Sequence, residues 1–167
     1  MSDRVLVAYS SKHGSTAEIA QLIGKTLDDA GLGVDVRKVA EIRSLAPYRA
    51  VVVGSAVYMG RWRREALRFL RRTELTEREL WFFSSGPVGE EEGDPPQIER
   101  WTKPRRVTQL AERIGAHDHA VFGGMIAEGG GFRRTMIARG TPPELRDRRD
   151  WTEIQVWAKG IARALSS

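Results

Sequence analysis

Runs of apolar residues separated by helical periodicity set the reading of this chain. Val5-Leu6-Val7-Ala8-Tyr9 is a continuous apolar run, as expected of a parallel strand buried on both faces. From Thr16, the residues Ile19, Ile23 and Leu27, with Ala20 and Ala30 alongside, recur at helical spacing until Gly31 stops the helix. Val34, Val36 and Val39 predict a second, more half-buried strand, and Ala50 to Val53 a third that ends at Gly54-Ser55. A loop Ala56-Val57-Tyr58-Met59-Gly60 then leads to a helix with Ala66, Leu67, Phe69 and Leu70 on one side and arginines on the other. Leu80-Trp81-Phe82-Phe83 predicts a fourth strand, closed by Ser84-Ser85-Gly86-Pro87.

After an acidic loop (Glu90, Glu91, Glu92, Asp94), Pro104 sits in the first turn of a helix with Val107, Leu110, Ala111 and Ile114 inward. Ala120-Val121-Phe122 predicts a fifth strand, ending at Gly123-Gly124. Residues 127–149 are rich in Gly, Pro and Arg, with a short helix expected around Phe132 to Ala138. Asp150 and Glu153 are spaced as a capping box for a last helix that buries Ile154, Trp157, Ala158, Ile161 and Leu165. Repeated strand–helix alternation over residues 1–167 predicts one α/β domain, a parallel sheet with helices on both faces.

Composition narrows the chemistry. There is no cysteine, which removes disulfides, thiolate catalysis and Cys-ligated metal or iron–sulfur sites. Redox work would therefore need a bound organic cofactor. His13, His117 and His119 lack helical metal-ligand spacing, so no metal site is expected, and the last two are read as flanking the fifth strand. No apolar run approaches a membrane span, and the N-terminus lacks signal-peptide features, so residence in the cytoplasm is expected. The net charge is +5. Arg61, Arg63, Arg64, Arg68, Arg71 and Arg72 cluster, and a second group runs from Arg133 to Arg149. These groups fit solvated faces or an anionic partner, and no nucleic-acid motif accompanies them.

Ligands of such sheets bind beyond the carboxyl ends of the strands. The first of these ends is the most informative: Ser11-Lys12-His13-Gly14-Ser15-Thr16 runs from an apolar strand into a helix. A helix start offers unpaired N–H groups and partial positive charge, and the hydroxyls add donors, so the stretch can hold a phosphate. A plain turn in which Ser15 or Thr16 caps the helix fits the same residues. Ser55 to Gly60, Ser84 to Gly89 and Gly123-Gly124 leave the neighbouring strands, and together the ends describe a pocket for a phosphorylated ligand with a flat, partly apolar body. A dinucleotide fingerprint, a Walker loop and the acidic residues of a phosphate-accepting receiver are all missing.

The Ser11-to-Thr16 segment resembles the Ser-x-Thr-Gly-x-Thr phosphate loop of flavodoxins, with His13 where a Thr is usual. Tyr9 to Ala20, Val52 to Trp62 and Asp150-Trp151-Thr152-Glu153 further resemble the menaquinone-dependent protoporphyrinogen oxidase group of flavodoxin-domain proteins. The resemblance implies a flavodoxin-like three-layer sandwich with a five-stranded parallel sheet of order 2-1-3-4-5. It implies FMN, with the phosphate held by Ser11, His13, Gly14, Ser15 and Thr16, and Lys12 among the cofactor-binding residues. Ser55, Ala56, Val57, Tyr58, Met59 and Gly60 would run along one side of the isoalloxazine, and Ser84, Ser85, Gly86, Pro87 and Gly89 would close the other. Tyr58 and Trp62 are the aromatic candidates to stack on the ring, although Trp62 equally fits a helix-start residue packed on the sheet.

Three functions follow from the resemblance. One is an FMN-dependent oxidoreductase that passes electrons from a porphyrinogen-type substrate to a quinone, with peripheral contact at the inner face of the membrane through the Arg-rich surface. The second is a one-electron flavodoxin-type carrier. The third is a flavin-binding interaction module without turnover. In each the flavin carries the chemistry and no protein side chain is assigned as catalytic. The segment 127–149 is shorter than the insertion of the bacterial oxidase and Gly/Pro-rich, which speaks against porphyrinogen chemistry.

Overall fold

A computed structural model of the chain describes residues 3–58, 60–86, 104–125 and 147–167. Its strands are β1 (Arg4–Ser10), β2 (Val34–Lys38), β3 (Tyr48–Tyr58), β4 (Arg61–Trp62), β5 (Glu79–Gly86) and β6 (Asp118–Gly123). Its helices are α1 (Ser15–Asp29), α2 (Arg64–Phe69), α3 (Arg105–Ile114) and α4 (Trp151–Ser166), with short 3-10 turns at Val39–Glu41 and Thr73–Glu77. The long strands pair in parallel in the order β2-β1-β3-β5-β6. Counted among themselves they follow the expected 2-1-3-4-5. The added strand, β4, pairs antiparallel with β3.

Alternation along the central strands divides the core between two faces. Val5, Val7 and Tyr9 of β1 pack with Ile19, Ile23 and Leu27 of α1 and Ile154, Ala158 and Ile161 of α4. Leu6 and Ala8 point the other way, onto Ala66 and Phe69 of α2 and Val107 and Ala111 of α3. The continuous apolar run of β1 is thus accounted for, since both sides of the strand are covered by helices. At the end of α1, Leu32 N–H reaches Leu27 O and Gly31 N–H reaches Asp28 O, the paired bonds of a glycine-terminated helix. Asp150 caps α4 by accepting from Glu153 N–H at 3.0 Å, the half of the expected box that involves the Asp side chain.

Four boundaries depart from the sequence reading. β2 ends at Lys38, and Val39 enters the core from a 3-10 turn instead of a strand. β3 does not stop at Ser55: Ser55 to Tyr58 stay extended because the chain folds back on them as β4. β5 continues through Ser84, Ser85 and Gly86, which have ladder partners on both sides or at the edge of β6. His119 lies inside β6 and is buried, so only His117 flanks that strand. The acidic loop, the expected helix at 132–138, and Met59, Pro87 and Gly89 lie outside the described residues.

The amino ends of three strands are joined by one carboxylate. Asp35 accepts from Arg4 at 2.6 and 3.3 Å and from the Tyr48 hydroxyl at 2.8 Å, linking β2, β1 and β3. Burial alone pushes the Asp35 carboxyl up, but the bonds from Arg4 and Tyr48 and the charges of Arg4 and Arg37 outweigh it and hold it below its ordinary value. Arg49 at the start of β3 donates to Leu165 O at 2.7 Å, tying the last turn of α4 to the same edge.

Two outcomes follow for stability. A Cβ at Gly54 would lie 1.9 Å from Cζ of the buried Phe83 ring across the β3–β5 ladder. Gly54→Ala is therefore expected to lower unfolding free energy by about 1–3 kcal/mol, with part of the loss recovered when Phe83→Leu is added; urea titrations of both variants check this. Asp35→Asn is expected to lower Tm by about 2–4 °C at pH 7. Because the folded carboxyl titrates below the unfolded one, its contribution is complete above the ordinary aspartate value near 3.8 and disappears as pH falls through the folded value. The gap between wild type and variant should close in thermal scans taken down to that range.

Candidate functional site

The residues singled out from the sequence converge on the carboxyl edge of the sheet, around the ends of β1, β3 and β5. At the end of β1, Ser11 Oγ accepts from Gly14 N–H at 3.0 Å and closes the turn. Gly14 is the residue before α1, with φ at +90° and nothing within 4 Å of where a Cβ would stand. No side chain caps α1: neither Ser15 nor Thr16 takes that role. The first intrahelical bond is Glu18 N–H to Gly14 O at 3.1 Å, so the N–H groups of Ser15, Thr16 and Ala17 have no carbonyl within the helix. Thr16 is fully buried and its hydroxyl has no hydrogen-bond partner.

A left-handed turn, free first-turn N–H groups and a buried uncommitted hydroxyl suit a phosphate monoester, which accepts from all of them. The charge next to the loop is also managed. Glu18, in the first turn of α1, would repel an anion, but it is engaged by Arg149. Arg149 has only 6% of its side chain exposed, donates also to Asp147 at 2.8 Å, and lies over the Trp151 ring at 4.6 Å. Its bond to Asp147 and its contact with Glu18 hold the guanidinium charge more firmly than usual against burial, and hold Asp147 below the ordinary carboxylate range. Sequence reasoning placed Arg149 in a charged surface group and missed this link, and its position directly before the Asp150 cap was the available signal.

A second set of polar residues lies on the α2 side of the same edge. Ser10 Oγ donates to Glu65 at 3.0 Å and accepts from Arg63 Nε at 2.9 Å. Ser55 Oγ accepts from Arg63 N–H at 3.1 Å and donates to Ala56 O at 2.9 Å. Ser84 Oγ accepts from Trp62 Nε1 at 2.8 Å and lies 2.7 Å from His119 Nε2. These contacts pin β4 beneath the end of the sheet.

Cross-strand register sorts the aromatics. Val57 pairs with Trp62 and Tyr58 with Arg61. The first pair turns inward: Trp62 is 3% exposed and packs on Phe82 and His119. Its burial fits the helix-start reading and leaves the ring no open face for stacking. Tyr58 turns outward and is 42% exposed. Ala56 and Gly86 are buried in the ladder, and Ser85 is buried beside them with its hydroxyl unpartnered. Gly60 is partly exposed in the turn between β3 and β4, and Lys12 is exposed at the phosphate loop, where Ser11 and His13 are half-buried. Among the described residues no group of three or more His, Cys, Asp or Glu could hold a metal ion, and no helix is long and apolar enough to cross a membrane.

Comparison with known proteins agrees with the fold. Residues 6–139 match the family model described as the flavodoxin domain. No curated protein matches the chain. Among solved structures, the chain is similar to a flavodoxin from the domain Archaea, at 14% identity and a TM-score of 0.67, over 98% of this chain and 99% of that one. It is similar to a short-chain flavodoxin associated with a non-canonical PDU bacterial microcompartment, at 15% identity and a TM-score of 0.61, over 99% of both chains. It also resembles rubredoxin oxygen:oxidoreductase from Desulfovibrio gigas, at 16% identity and a TM-score of 0.64, where 99% of this chain corresponds to 36% of that one. Such low identities carry the fold alone. The family match, with the phosphate-ready turn at Ser11 to Thr16, carries the rest: the chain belongs to the flavodoxin domain family, whose cofactor is FMN.

Proposed function

We propose that this protein is a flavodoxin-type electron carrier that holds FMN by its phosphate at Ser11 to Thr16. The observation that carries the reading is the buried, unpartnered Thr16 hydroxyl above the uncapped start of α1. Bound FMN supplies one- and two-electron chemistry. The chain supplies the grip: first-turn N–H groups and hydroxyls on the phosphate, Tyr58 as the exposed aromatic at the rim, and the unpartnered Ser85 hydroxyl at the end of β5.

One observation favours a carrier over quinone-coupled porphyrinogen oxidation. The solved structures that this chain spans nearly end to end are titled as flavodoxins. Residence in the cytoplasm remains part of the proposal.

The test begins with quenching of FMN fluorescence by the purified protein, followed by potentiometric titration. A carrier is expected to show two separated one-electron waves. A single two-electron wave, with turnover of porphyrinogen in the presence of a menaquinone analogue, would overturn the carrier reading in favour of the oxidase. Thr16→Ala should weaken FMN binding about 10-fold or more, the loss of a hydrogen bond to a charged group. Gly14→Val should weaken it further, since a β-branched residue is strained at φ +90°. Unchanged affinity in both variants would remove the phosphate assignment.

A further inference from the structure

The arginine-rich segment that follows the β3–β4 turn is unlike the arginines that hold the fold. Arg4, Arg49, Arg63, Arg72, Arg78 and Arg149 each bond a carboxylate or a carbonyl. Arg61, Arg64, Arg68 and Arg71 are exposed, and among the described residues none of their side chains makes an ion pair or a hydrogen bond. Their placement is regular. Arg61 is the cross-strand partner of Tyr58 on the outward side of the hairpin. Arg64, Arg68 and Arg71 then follow at spacings of four and three, opposite the buried Ala66, Phe69 and Leu70.

From Tyr58 to Arg72 the sole acidic residue is Glu65, and it is occupied by Ser10 and Arg63. Like charges four apart on a helix oppose each other, so the strip costs stability as it stands. That cost is offset when an oppositely charged surface covers it.

We propose that this strip, running outward from Tyr58, is the docking surface for a redox protein with an acidic face. The inference rests on the FMN-carrier reading, which puts the electron-transfer end of the molecule at Tyr58. Guanidinium groups match carboxylates two bonds at a time, and a strip of them steers an acidic partner into one orientation. A protein partner fits better than a lipid surface. The other large apolar side chains exposed among the described residues, Trp151 and Val156, are on α4, across the sheet from α2, so among the described residues Tyr58 is the one exposed large apolar side chain beside the strip.

The experiment measures delivery of one electron from the reduced, FMN-loaded protein to the ferric haem of cytochrome b5, an acidic acceptor, and of cytochrome c, a basic one. Stopped-flow rates are taken from about 20 to about 300 mM salt. With cytochrome b5 the rate should fall about tenfold or more as salt rises, and with cytochrome c it should not fall. The variant Arg61→Glu/Arg64→Glu/Arg68→Glu should lose about tenfold of the low-salt rate to cytochrome b5. A control with the same net charge, Arg106→Glu/Arg113→Glu/Arg163→Glu, should lose less than about threefold. Equal losses in the two variants, no loss in the first, or strip-dependent sedimentation with phosphatidylglycerol vesicles without any effect on cytochrome b5 would overturn the proposal. FMN quenching is measured on every sample. If FMN fails to bind, the carrier reading falls, and strip-dependent binding of cytochrome b5 to the protein, read by calorimetry, then decides the docking surface separately.

Discussion

The return of the chain after β3 is the constraint on which the carboxyl edge depends. A parallel strand ordinarily hands over to a helix at its end, yet here β3 overruns to Tyr58 and comes back as β4. Three residues hold that return. Arg61 continues the hairpin ladder opposite Tyr58, Trp62 sends its indole N–H to Ser84, and Arg63 gives its backbone N–H to Ser55 and its guanidinium to Ser10. The short segment Arg61–Arg63 thereby cross-ties β1, β3 and β5, and through Ser84 it reaches His119 on β6. Each bond is at least partly buried, so releasing one member leaves a donor or acceptor without water to replace it. The turn carrying Tyr58 is fixed by bonds beneath it, and α2 with its arginine strip starts from the same anchor.

Much of the fold could be read from periodicity because both faces of the central strands are covered. A run such as Val5 to Tyr9 has one stable environment, and the stripes of α1 and α4 supply it. What periodicity could not show is where a strand stops when polar residues continue it. Ser55, Ser84 and Ser85 look like strand ends because hydroxyls favour turns. They stay in the ladder because their partners come from elsewhere in the chain: Arg63 for Ser55, Trp62 and His119 for Ser84. The same non-local bonds turned Trp62 from a stacking candidate into a core residue. His119 was misplaced for a related reason, since its buried partner lies 35 residues away. The phosphate turn was legible because its signal is local, Ser11 accepting from Gly14 three residues on. Arg149 was not, since its contact with Glu18 spans 131 positions.

At the amino edge, Asp35 is shared by Arg4 and Tyr48, a carboxylate spent on joining three strands. At the carboxyl edge, Thr16 and Ser85 are buried with hydroxyls that bond nothing among the described residues. Each such group costs about 1–3 kcal/mol. A small apolar residue at either position would remove that cost, so a chain selected for folding alone has no reason to keep both hydroxyls. On the proposed reading bound FMN would supply the missing partners, and its binding would return to the folded state what these hydroxyls cost it. The uncapped start of α1 obeys the same logic, because a capping side chain at position 14 would occupy the N–H groups that an anion needs. Glycine at that position, held at φ +90° with open space around it, leaves them available. On the same reading, the bonds that Thr16 and the start of α1 leave unmade are the ones an FMN phosphate would make.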